Sequence, residues 1–136
     1  AARRFQISQP ECLLGGCQIP GENCLDCIEH YAFCPVVVKF ASERLCFPAR
    51  LTRNMQSFLC LSGNTDDETR ILQLLLLYPV YTATNFLRFP HPSLDRNAMH
   101  ELLLQYVHQG AAQSHSAQQA IRACLAAYHA KRRRRI

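Results

Sequence analysis

Five of the chain's eight cysteines, together with a histidine, fall in one short stretch: Cys12, Cys17, Cys24, Cys27, His30 and Cys34. No sizeable apolar run accompanies them, so burial alone gives this segment little reason to order. A cross-link is expected to organise it, either a metal ion or a set of disulfides. The choice matters for the whole chain. Disulfides suit a small secreted protein, whereas thiolates held by a metal suit a reducing compartment.

The turn Pro20-Gly21 and the breaker Pro35 bracket a helix over Glu22 to Cys34. At 100° per residue, Cys24, Cys27, Ile28, Tyr31 and Cys34 share an apolar stripe, with His30 on the same side as Cys27 and Cys34. Cys27, His30 and Cys34 are therefore the expected core of a structural zinc site, with Cys12 or Cys17 as a fourth ligand and Cys24 close by. The spacing C-x-x-C-x-x-H-x-x-x-C matches no common zinc finger. Two other readings stay open: buried thiols acting as small hydrophobes, and disulfides, which the even count of cysteines permits. Of the rest, Cys124 reads as core, and Cys46 and Cys60 as reserve ligands.

The charge is uneven. Net charge is +5, and Lys131, Arg132, Arg133, Arg134 and Arg135 alone supply five positive charges, so the body is neutral. Such a run favours an intracellular chain with a zinc site, and reads as a contact for nucleic acid or another polyanion, or as a nuclear-import signal. Arg44, Arg50 and Arg53 are candidates to join that surface, and Tyr128 is the one aromatic residue close enough to stack a base.

Elsewhere the pattern is that of a core. Val36 to Phe40 is a β-branched run expected as a strand, with further strands at Arg44 to Phe47 and Ser57 to Leu61. Thr65 and Glu68 fit a capping box for a core helix from Asp66 to Tyr78, ended by Pro79. Val80 to Phe89 is ambiguous between strand and helix. Ser93 is the expected cap of a helix from Leu94 to Gln109 stopped by Gly110, and the last helix is expected to start near Ser116 and run into the basic tail. The histidines at 91, 100, 108, 115 and 129 are scattered and read as exposed or core-edge. No stretch of about 18 apolar residues is present, so no membrane-spanning helix is expected, and no signal peptide is visible.

The expected fold is a mostly helical α+β domain. A cysteine-rich, metal-stabilised segment with short strands, residues 1–62, packs on a three-helix unit with a basic tail, residues 63–136. No glycine-rich phosphate loop, nucleophile elbow or metalloprotease motif occurs, so the expected role is non-enzymatic. It is a zinc-stabilised regulatory module, nuclear or cytoplasmic, that binds a protein partner and nucleic acid. In outline this resembles small viral and nuclear regulatory proteins. The competing expectations are a secreted, disulfide-stabilised ligand or receptor-binding subunit, and an obligate subunit or oligomer that buries Leu72 to Leu77 against a partner.

Overall fold

The computed structural model describes residues 11–15, 24–61, 63 and 65–135. Three long helices form its larger part: α4 (Asp67–Leu87), α5 (Arg96–Ala111) and α6 (His115–Arg134). Each starts on an oxygen-bearing cap. The side chains of Asp66, Asp95 and Ser114 accept from the amides of Thr69, Ala98 and Ala117 at 2.7, 2.8 and 3.2 Å. Each takes up an amide that has no partner within its helix. The caps expected at Thr65 and Ser93 are displaced to aspartates one and two residues on. In both cases the carboxylate meets the positive end of the helix as well as one of its amides.

α4 runs straight through Pro79, where the sequence expectation ended it. A proline inside a helix removes one backbone hydrogen bond and crowds the preceding turn, at a cost of about 3 kcal/mol. Here Leu76, Val80, Ala83 and Leu87 are all buried at helical spacing, and α5 and α6 pack alongside. Burial of a side chain such as Leu or Val contributes roughly 1.5–3 kcal/mol, so a few of them outweigh the proline. Met99, Leu103, Val107 and Ala111 of α5, with Ala117 and Ile121 of α6, complete this part of the core.

The front half is a series of short helical pieces: α1 (Ile28–Tyr31), α2 (Pro35–Lys39), a wider π-turn (Phe40–Arg44), a 3₁₀ turn (Ala49–Leu51) and α3 (Met55–Phe58). The chain is mostly helical, and among the described residues there is no strand, only one isolated antiparallel bridge between Glu11 and Leu25. The strand expected at Val36 to Phe40 is helical instead. Pro35 fits the first turn of a helix, and Cys34, Val37, Ala41 and Leu45 are buried at spacings of three and four. The π-turn is closed by the Leu45 amide donating to the Phe40 carbonyl at 3.3 Å. The expected strand at Arg44 to Phe47 is that turn and its exit, with Cys46 in the left-handed region at φ 54°. The expected strand at Ser57 to Leu61 overlaps α3, where Asn54 caps the Ser57 amide. Gln73 of α4 donates to the Ser57 hydroxyl at 3.3 Å in the buried interface. Phe40, Leu45, Phe47, Leu51 and Phe58 join the same hydrophobic core as the three long helices.

Candidate metal centre

Of the long helix expected from Glu22 to Cys34, residues 22–23 lie outside the described residues, and from Cys24 on only the single turn α1 forms. Its N-cap, Cys27, is extended (φ −147°, ψ 157°). The Cys12 amide donates to the Cys24 carbonyl at 2.8 Å, which holds residues 11–12 beside 24–25 as a short extended pair. The apolar stripe read from a helical wheel therefore does not form, and Cys24 and Cys27 do not stand on one face with His30 and Cys34. Backbone is spent instead on bringing the 11–15 segment across α1.

That crossing assembles a different trio. One ligand atom each from Cys12, His30 and Cys34 lies within 4.8 Å of the others, a group able to hold a metal ion. The sulfurs of Cys12 and Cys34 are 3.9 Å apart. Cys34 is fully buried and caps the start of α2, while Cys12 is half-buried. Cys12, His30 and Cys34, all three of the expected ligand set, meet here. Cys24 and Cys27 do not belong to this group, and Cys17 lies outside the described residues.

A second layer fixes the trio, and sequence reading missed it. The Leu13 amide, next to Cys12, donates to the Tyr31 hydroxyl at 3.1 Å, and that hydroxyl donates to Asp26 Oδ1 at 2.7 Å. Arg88, at the end of α4, donates to both Asp26 oxygens, from Nη2 at 3.0 Å and from Nε at 3.2 Å. Asp26 is 4% exposed against 45% for Arg88, so the carboxylate is the buried partner of this fork. Burial pushes the Tyr31 phenol far above its ordinary range, with Asp26 adding to the effect and the Leu13 amide opposing it. Tyr31 is thus a fixed proton donor to Asp26. No local pattern flags a pair 62 positions apart.

Cys60 and Cys124 are less suited to ligation. Burial raises the Cys60 thiol above its ordinary range, and burial with the neighbouring Cys46 pushes Cys124 up to about 11. A protonated thiol is a poor ligand and a poor nucleophile.

The basic tail forms the exposed end of α6, with Lys131 to Arg135 all in solvent. No carboxylate of the described residues pairs with these five cations. Tyr128, one turn back, has the Arg44 guanidinium 5.3 Å and the Arg132 guanidinium 5.8 Å from its ring centroid. Arg132 also donates to the Tyr128 hydroxyl at 3.2 Å. Arg44 reaches this surface from the π-turn while pairing with Glu101 of α5. Arg50 instead adds to the field at Asp66, at the start of α4. Tyr128 is engaged by arginines, so it is not a bare platform for a base.

No helix of the described chain is long and apolar enough to cross a membrane. Compared with protein-family models, curated proteins and solved structures, the chain matches none.

Proposed function

We propose that the chain is a non-enzymatic, zinc-stabilised binding module whose α6 end contacts a polyanion, with the phosphate backbone of nucleic acid as its target. The observation that carries the reading is the tail: five consecutive cations on a helix end, without a carboxylate partner among the described residues. Cations meant to stabilise the fold would be paired or would cover apolar surface. Apart from Arg132, which lies against Tyr128, these stand in water, where they would release counterions from a phosphate backbone. The arginines around Tyr128 widen the patch without offering base-specific contacts, which favours binding by charge rather than by sequence.

Zinc is the metal of choice for the Cys12, His30 and Cys34 donors. Two thiolates and an imidazole suit a borderline-soft ion. Tetrahedral zinc with Zn–S bonds of about 2.3 Å sets two sulfurs about 3.8 Å apart, close to the 3.9 Å between Cys12 and Cys34. The ion would clasp the 11–15 segment to α1 and α2, in a compartment where thiols stay reduced.

The test pairs a zinc assay on the purified chain with anisotropy titrations on a generic DNA duplex at several salt concentrations. Changing Lys131, Arg132, Arg133, Arg134 and Arg135 to glutamine should weaken binding and reduce the slope of log K against log salt by up to about 4. Unchanged affinity and slope would rule out the tail as the contact.

A second reading, a subunit completed by a protein partner, is favoured by the outer face of α4. Leu74, Tyr78 and Tyr81 are exposed at spacings of four and three, and Phe86 and Phe89 are exposed further along the chain. A notch of about 280 Å³ between Leu74, Tyr78, Val107 and Ala117 adjoins them. Light scattering on the isolated chain separates the two readings: a stable monomer at micromolar concentration counts against an obligate subunit.

A further inference from the structure

Cys12 and Cys34 hold their sulfurs 3.9 Å apart with no bond between them. A disulfide needs about 2.05 Å, so the gap closes by a modest side-chain movement. The backbone around the pair is already braced, on one side by the Cys12 amide on the Cys24 carbonyl, on the other by the start of α2. Cys12 is half-buried, whereas Cys34 is fully buried. That asymmetry is the arrangement of an attacking and a resolving thiol. Of the other cysteines, Cys60 and Cys124 are held protonated by burial and react poorly.

We propose that Cys12 and Cys34 are an oxidation-sensitive pair, which a hydroperoxide converts from a metal clasp into a disulfide with release of the ion. This rests on the metal reading of the same site. The Cys12 thiolate attacks one oxygen of hydrogen peroxide, the O–O bond breaks, and hydroxide leaves, giving a sulfenic acid. The Cys34 thiolate then attacks the sulfenic sulfur, the S–S bond forms, and a second hydroxide leaves. Two thiolates have given two electrons to one peroxide, and protons from solvent complete two waters. Two anionic donors are lost together, and His30 is the one member of the trio left to hold the ion. A dithiol reductant reverses the exchange. The 11–15 segment stays attached in both states, first by the ion and then by the disulfide, so oxidation discharges the metal without detaching the front of the chain.

The full chain, purified with zinc under reductant and freed of excess metal, is titrated with hydrogen peroxide. A chromogenic chelator follows zinc, and peptide mass mapping locates the new bond. Equal amounts of peroxide consumed, zinc released and Cys12–Cys34 disulfide formed are expected. Added dithiothreitol and zinc should restore the starting state. The Cys124→Ser chain should behave identically, because Cys124 has no part in the exchange. Zinc that stays bound through the titration overturns the proposal, as does a first disulfide between other cysteines, and in both cases the metal reading survives. A chain that binds no zinc at the outset removes the metal reading, and the exchange falls with it.

Discussion

His100 sits on α5 with 3% of its surface exposed, its ring edge-on to Phe40 at 5.5 Å. Its Nε2 has no hydrogen-bond partner among the described residues. Burial holds its pKa below the ordinary 6.5; Arg44 and Arg96 add to this, while Glu43 and Glu101 act the other way. Above pH 6.5 the ring is neutral folded or unfolded, and the linkage is nil. As pH falls below 6.5 the unfolded chain takes up the proton first, so stability is lost. The urea midpoint of the parent should therefore drop more between neutral pH and roughly pH 5.5 than that of His100→Leu. Comparing the two chains cancels every response they share, and parallel midpoints would show that His100 does not supply the slope. The sequence reading placed His100 among exposed or core-edge histidines. Its spacing to Leu103 and Val107, three and seven residues on, was the available sign of burial, but residue type alone argued for the surface.

The helices carry their own constraint where α4 meets the end of α5. Gly110 was expected to stop α5, yet it lies inside the helix, and a Cβ there would stand 2.6 Å from Tyr78 Cδ2. Tyr78 also accepts a hydrogen bond from Gln109 at 3.3 Å. Alanine gains about 1 kcal/mol over glycine in a helix interior, whereas overpacking costs typically 1–3 kcal/mol. Gly110→Ala is expected to lose about 1 kcal/mol net. In a Tyr78→Ala background the same change should stabilise by up to about 1 kcal/mol, because the obstructing ring is gone. A double-mutant cycle in urea measures that reversal of sign. The existence of α4, α5 and α6 was legible from their apolar spacing, although the caps of α4 and α5 lie at Asp66 and Asp95 rather than at Thr65 and Ser93. Their limits were not, because Pro79 and Gly110 are local breakers whose influence was overridden by burial against neighbours. Val36 to Val38 misled in the same way: three valines read as a strand until Cys34 and Ala41 extend the window and show a helical period.

On the scale of the molecule, the proposed ion would support the front segment and the helical unit to different degrees. The 11–15 segment is held by a few hydrogen bonds and the Cys12 donor, whereas Leu103, Val107 and Ile121 belong to a core with its own burial. Chelation should strip hydrogen-exchange protection from residues 12–14 and 28–34 and leave α5 and the first half of α6 protected. Uniform loss across the chain would show instead that the ion supports the whole fold. The density of cysteines pointed to a cross-linked segment, and the structure does bring His30 and Cys34 together in a group able to hold a metal ion. That Cys27 stands apart from Cys12, His30 and Cys34 was not legible, because it follows from a backbone crossing held by Tyr31, Asp26 and Arg88. The grip of Arg88 on Asp26 also sets an order in time. During synthesis Cys12, His30 and Cys34 leave the ribosome well before Arg88, and at about 5–20 residues per second the interval runs to several seconds. Until Arg88 emerges, Asp26 lacks the guanidinium that pairs with it, so the contact of Tyr31 with the 11–15 segment gains its full support only after α4 is made.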